Sequence, residues 1–424
     1  MLIPSLLLSK YFFLNTEQLK INYNSISKIL TLRYDPDKVS LMKPLSYKDF
    51  TPIKTNDIES KINDIVKDDL LIMKKKSKAN SISLSLSGGI DSGLTLAIIR
   101  SVLPDIKLEC FSMGFGDEDD EIQRAKEISR IYDCNFHYII KDDVLSELPQ
   151  LISIVKEPRW NLYQYYPMAA ASKQSSIFYS GDGGDELFGG YTFRYKKFLS
   201  NLPKNADWKK KTKLYLSCHE RDWVPDQDKM FGSKIKFSWG KIYKLLKPYF
   251  NNNLEPLDQV FLADFNGKLL YDWIPTNNAF GKYLDLDIKS IFLTEKMIKF
   301  ATHIPWNMKY DPKKIQGKIP LHSILGRQKG FKKIQPIKKG FTIDLCSLWN
   351  KTAKETINTY VNSESEIVKN KIINEEWLNT IHKKLRQDNL ELNVRYISKM
   401  LGILSLEIWY RLFISKTMKK TQKL

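Results

Sequence analysis

Apolar and polar positions along this 424-residue chain change rhythm near residue 200. Before that point, short apolar runs alternate with amphipathic stretches. The pattern predicts a helix from Asn56 to about Lys76, with Ile58, Ile62, Ile65, Leu70 and Leu71 at near-helical spacing. It then predicts strands at 81–86, 107–113, 135–140 and 176–179. Helices are expected from about 92, over about 118–132, after the loop that begins at Trp160, and from near Leu187. Such alternation implies an α/β fold with a parallel sheet covered by helices. Beyond residue 200 the pattern becomes helical throughout and ends in an apolar stretch, Ile397–Phe413, that predicts a buried helix. Residues 1–55 differ again, with β-prone runs such as Ile29–Tyr34 and prolines at 36, 44 and 52. The expected organisation is therefore a short β-rich segment over 1–55, an α/β core over 56–200 and a helical part over 201–424.

Two of the predicted strands run into turns that carry chemistry. Ser87-Gly88-Gly89-Ile90-Asp91-Ser92 places a glycine-rich turn between the strand at 81–86 and a helix. Glycines without Cβ let anionic oxygens approach several backbone N–H groups, and the helix N-terminus adds positive potential. Asp91 would repel a phosphate there unless a bridging Mg²⁺ lay between them. The second turn, Ser180-Gly181-Asp182-Gly183-Gly184-Asp185-Glu186, follows the strand at 176–179. Its clustered carboxylates repel one another unless a cation or protonation relieves them. Ends of neighbouring parallel strands form a ligand crevice, so Asp91 and Asp185 are expected to share one Mg²⁺ with the phosphates of a nucleotide.

Composition narrows the setting. An apolar content of 42% supports a folded globular protein. The uncharged run within Met1–Leu14 is shorter than the roughly 20 residues needed to cross a bilayer and reads as a buried strand or hairpin. Cys110, Cys134, Cys218 and Cys346 lack C-x-x-C spacing, which fits a reduced, cytoplasmic setting rather than a disulfide scaffold. The formal charge is +19, but the lysines are spread in pairs and triplets such as Lys74-Lys75-Lys76 and Lys209-Lys210-Lys211. Spread lysines with few arginines make a solvated surface, and the stacking patterns of RNA-binding modules are absent. No G-x-x-x-x-G-K-[ST] pattern occurs, which argues against a phosphoryl-transfer NTPase.

The first turn resembles the pyrophosphate loop of the ATP pyrophosphatase superfamily, and Ser180–Tyr191 resembles the second signature of asparagine synthetase synthetase domains. Phe111-Ser112-Met113-Gly114-Phe115 is similar to the strand end that contacts adenine in that family, and Glu157-Pro158 and Pro167 recur at family-like spacing. Gly317-Lys318-Ile319-Pro320-Leu321 resembles the segment with the family's active-site lysine, and Lys338-Lys339-Gly340-Phe341 its K-x-G-F loop. The resemblance covers about residues 55–415 and implies an adenine-nucleotide α-hydrolase-like sheet that binds ATP and Mg²⁺. It implies that Ser87, Gly88, Gly89, Ser92, Met113, Ser180 and Gly181 contact the nucleotide, that Asp91 and Asp185 hold the metal, that Lys318 stabilises developing charge, and that Asp182 orders the loop or takes a proton from ammonium. The implied reaction joins a carboxylate, aspartate in the simplest case, to ammonia or another amine through an acyl-adenylate.

The sequence also departs from the family. It begins Met1-Leu2-Ile3, without the glutaminase domain or its cysteine at position 2, so nitrogen is expected from free ammonia, a separate glutaminase subunit or an amine substrate. Residues 1–55 then read as a remnant of that domain. Thr276–Tyr283 differs from the family's V-D-R-x-S-M-A, and Leu284–Leu293 stands where an E-x-R-x-P-F-L-D run is usual. An amidation or lactam-forming enzyme, a tRNA-modifying pyrophosphate-loop enzyme and a silent ATP-binding subunit remain open at this point. The oligomeric state is not legible in the sequence.

Overall fold

The computed structural model describes residues 21–54, 56–77, 79–115, 120–328, 344–386 and 393–424. Its centre is one sheet of five strands: β1 Ser81–Ser85, β2 Lys107–Gly114, β3 Asn135–Ile140, β4 Ile177–Tyr179 and β5 Asp287–Lys289. The order across the sheet is β3-β2-β1-β4-β5, and every pairing is parallel. β1 and β2 are buried along most of their length, as strands covered on both faces must be. The helix Ile90–Val102 follows β1 and buries Leu94, Leu96 and Ile99, while Ile58–Lys76 buries Ile62, Val66 and Leu70 beside it.

The topology places the two chemically marked turns together. The chain runs outward from β1 through β2 to β3, then returns to the opposite side of β1 for β4. Ser83 pairs with Phe178 and Leu84 with Tyr179, so the turns after β1 and β4 emerge side by side where the strand order reverses. Crevices at such reversals are where open α/β sheets bind ligands.

After residue 200 the chain is mainly helical, from Trp208–Ser217 to Val394–Phe413. The last helix lies in an apolar cluster with Leu148, Ile152, Trp377 and Leu378, as its sequence predicts. β5 was not foreseen; it comes from beyond residue 200 and completes the sheet next to β4.

The expectation of a β-rich segment before residue 55 is corrected. Ile29–Tyr34 belongs largely to the helix Tyr23–Leu32, and a 3-10 turn occupies Tyr47–Phe50. Among the described residues of this segment there is no strand. Asn22 starts the helix by accepting the Ser25 N–H at 2.9 Å, and Arg33 ends it in the left-handed conformation. Ile26, Ile29, Leu30 and Leu32 are all buried, so packing overrides the β preference of the run. The expected strand or hairpin at Met1–Leu14 and the Lys338–Phe341 loop lie outside the described residues. Among those described, no helix is long and apolar enough to cross a membrane.

Candidate active site

The turn after β1 is closed by its own serines. The Ser87 N–H donates to Ser92 Oγ at 3.0 Å, the Ser92 hydroxyl donates to the Ser87 carbonyl at 3.0 Å, and the Gly89 N–H donates to Ser87 Oγ at 3.2 Å. This locks the turn onto the first residues of the helix Ile90–Val102, and the start of a helix favours an anion. Gly88 is packed so tightly that a Cβ would lie 3.0 Å from the Glu121 carbonyl oxygen. Ser87, Gly88, Gly89 and Ser92 thus form one continuous cradle.

The second turn is pressed against Asp91. A Cβ on Gly184 would lie 2.5 Å from Asp91 Oδ1, and one on Gly190 would lie 1.6 Å from Asp185 Oδ1 and 2.5 Å from Lys318 Cε. Only residues without side chains admit the carboxylates to these places. Gly181 sits over Asp91 in the same way, and the Ser180 N–H donates to the Lys289 carbonyl of β5 at 2.9 Å. The late strand therefore fixes the start of this turn.

Lys318 joins the two turns. Its backbone N–H donates to the Phe188 carbonyl at 2.9 Å, and its φ of 54° is left-handed, which turns the side chain inward just before the helix Ile319–Gly326. Lys318 Nζ pairs with Asp91 Oδ2 and lies 2.8 Å from Asp185 Oδ1. Burial works against the ammonium, but the Asp185 and Asp91 carboxylates outweigh it and hold the lysine well above its ordinary range. Three charged groups from three separate segments thus meet at one point.

That point suits a hard divalent ion. Two aspartate oxygens already converge on one cation, and oxygen donors of this kind are what Mg²⁺ takes. Among the described residues no three His, Cys, Asp or Glu side chains gather into a metal-holding group. Asp91 and Asp185 accordingly fit an ion that completes its shell with phosphate and water rather than with a protein cage.

Asp182 lies at the other end of the turn, half-buried. Its Oδ2 accepts Ser180 Oγ at 2.7 Å and Asn277 Nδ2 at 2.7 Å, and its backbone carbonyl accepts Ser290 Oγ at 2.6 Å. Burial pushes its carboxyl up; the Ser180 and Asn277 hydrogen bonds pull the other way, and the nearby Asp185 charge adds to the rise. Met113 is apart from this cluster. It is buried near the end of β2, next to β1, and its side chain belongs to an apolar cluster with Phe111 and Phe178.

The Asparagine synthase family matches residues 75–411. The chain belongs to this family. Asparagine synthetase [glutamine-hydrolyzing] 1 of Bacillus subtilis (strain 168) is 28% identical over 244 residues, 53% of this chain and 38% of that protein. Putative asparagine synthetase [glutamine-hydrolyzing] 2 of Methanocaldococcus jannaschii is 31% identical over 128 residues, 28% of this chain and 25% of that protein. The matches therefore span well under half the length of these curated relatives. Among solved structures, the NH3-dependent NAD synthetase of Campylobacter jejuni covers 32% of this chain and 62% of its own, at 18% identity and a TM-score of 0.26.

Within this family frame, sequence reasoning missed Asn277, Ser290 and the surroundings of Glu186. Glu186 faces inward, 5% exposed, and accepts the Tyr191 hydroxyl at 2.5 Å. Burial, aided by the Asp185 charge, pushes its carboxyl up to about 8. Arg194 stacks over the Tyr191 ring at 3.5 Å and pairs with Asp264 at 3.0 Å. These groups line a partly open cavity of about 30 Å³, large enough for water. The spacing of Tyr191 and Arg194, one helical step apart, was the available signal.

Proposed function

We propose that this chain is an ATP-dependent ligase that adenylates a substrate carboxylate and transfers nitrogen to it. The observation that carries the reading is the meeting of Asp91, Asp185 and Lys318 between the turns after β1 and β4. Family membership supports the same chemistry.

ATP is the first substrate. Its pyrophosphate end suits the Ser87–Ser92 cradle, with Met113 at the adenine side and Ser180 and Gly181 completing the wall. Asp91 and Asp185 would hold Mg²⁺, which when bound neutralises phosphate charge and favours pyrophosphate as a leaving group. A carboxylate oxygen of the second substrate attacks the α-phosphorus; the bond from that phosphorus to the pyrophosphate oxygen breaks. Lys318, kept charged by its two carboxylates, offsets the negative charge that builds in the transition state. Nitrogen then attacks the acyl carbon, AMP leaves, and Asp182 would take the nitrogen's proton. Aspartate and ammonia are the simplest substrate pair, and glutamine through a separate glutaminase subunit is a further nitrogen source for the same step.

The test is product analysis with Mg-ATP, ammonium and a carboxylate panel led by aspartate, using Asp91→Ala as the blank. AMP and pyrophosphate in equal amounts, dependent on one carboxylate, are expected. ADP instead of AMP would overturn the adenylation mechanism.

A further inference from the structure

Beside Asp182, an amide oxygen is buried without a hydrogen bond from the protein. Asn277, on the helix Ile274–Leu284, is 8% exposed. Its Nδ2 donates to Asp182, while its Oδ1 takes no partner. The amide oxygen and nitrogen share one carbon, so Oδ1 lies beside the Asp182 carboxylate. A buried acceptor left alone is costly, and native structures supply it with a donor.

We infer that Asn277 and Asp182 together seat the incoming nitrogen nucleophile, an ammonium ion or a primary ammonium group, with Asn277 Oδ1 accepting one of its N–H bonds. The inference rests on the ligase reading above and adds to it a residue that selects the nitrogen substrate. The seat fits such a group because it offers acceptors: a neutral amide oxygen next to a carboxylate. An ammonium has only donors to give. A carboxylate substrate is repelled from the same place, which separates the two substrates by charge.

The seat is also held still. Ser180 and Asn277 fix Asp182 Oδ2, and Ser290 fixes the Asp182 carbonyl. These donors come from the end of β4, from the helix Ile274–Leu284 and from the residue after β5, so three elements set the geometry. In the transfer, one ammonium proton passes to the Asp182 carboxylate and the freed lone pair forms the C–N bond. The acyl C–O bond to AMP breaks with its electron pair on the phosphate oxygen, and a second nitrogen proton leaves to solvent. The products are amide and AMP, with Asp182 later returning its proton to water.

Asn277→Leu removes the acceptor at similar size, and Asn277→Ser keeps a hydroxyl acceptor in a smaller side chain. Saturation curves are measured for ammonium chloride, for hydroxylamine as a substitute nucleophile, and for ATP and the carboxylate that supports turnover. Asn277→Leu should raise the KM for ammonium by about tenfold to a hundredfold more than the KM for ATP or carboxylate, with Asn277→Ser in between and hydroxylamine following ammonium. Equal changes in all the KM values, or an unchanged ammonium KM in both variants, would overturn the seat while leaving the ligase reading intact. Absence of carboxylate-dependent pyrophosphate–ATP exchange in the unmodified protein would overturn the ligase reading and this inference with it. A thermal melt of each variant separates misfolding from a binding defect.

Discussion

Two lysines on one stretch of chain, Lys309 and Lys318, are both buried yet hold opposite charge tendencies. Lys309 is fully buried, its Nζ has no hydrogen-bond partner, and it lies 5.2 Å from the centre of the Phe261 ring. Burial pushes it down to about 7, and the nearby Asp258 resists only in part. Lys318 suffers the same desolvation but faces Asp185 and Asp91, which raise it. Depth alone therefore does not decide whether a buried lysine keeps its charge here; convergence of two carboxylates from separate turns does. Lys309 instead braces the chain beside Lys318, since its backbone carbonyl accepts the Ile319 N–H at 3.2 Å.

The comparison breaks first at Lys318. Lys318→Met should cut pyrophosphate release about 10²- to 10³-fold, the scale of losing one group aimed at the transition state, and leave Asp91 and Asp185 facing each other without their cation. Wild-type-like rates in that variant would remove the distinction between the two lysines. Next in size is Gly190→Ala, whose new methyl collides with Asp185 and Lys318. A displacement of about 1 Å at a reacting centre costs about 10²-fold, read as kcat with a circular-dichroism check of folding.

Lys309→Met sharpens the contrast through stability. The folded pKa of Lys309, about 7, is below the roughly 10.4 of an unfolded lysine. Between those values the unfolded chain holds a proton that the folded chain has shed, so stability rises with pH from about 7 to about 10. Asp258 acts in the opposite sense at lower pH. Its folded value, pushed up by burial to about 6, makes stability fall as pH rises from about 4 to 6. Lys309→Met should abolish the rise above pH 7 in urea titrations, because the group that sheds a proton on folding is gone. The smallest effect is expected at Gly402, in the helix Val394–Phe413, where a Cβ meets Leu30 Cδ2 in ordinary contact at 3.5 Å. Gly402→Ala should stabilise by about 1 kcal/mol in the same titration and leave kcat alone.

What the sequence revealed follows from how local each signal is. β1 to β4 and the helices Ile90–Val102, Asp120–Ile131 and Tyr165–Ala171 were legible because each apolar run is bounded by turn residues, whereas the helix Leu148–Val155 was not anticipated. The Ser87–Ser92 and Ser180–Glu186 turns were legible because small residues and carboxylates crowd into a few positions. The helix Tyr23–Leu32 was misread because its deciding features are the Asn22 cap and its packing against distant elements. β5 was hidden because three residues carry too little periodicity to register. Asn277 could not be found from Thr276–Tyr283 alone, since its meaning depends on Asp182, which only folding brings beside it.

Lys318, Asp91 and Asp185 are proposed to form an adenylating centre. Its most direct test is carboxylate-dependent exchange of labelled pyrophosphate into ATP, compared between the unmodified protein and Lys318→Met. Exchange that requires Mg²⁺ and one carboxylate of the panel, and that disappears in the variant, is expected. Exchange that persists in Lys318→Met, or ATP turnover that yields ADP without exchange, would contradict it.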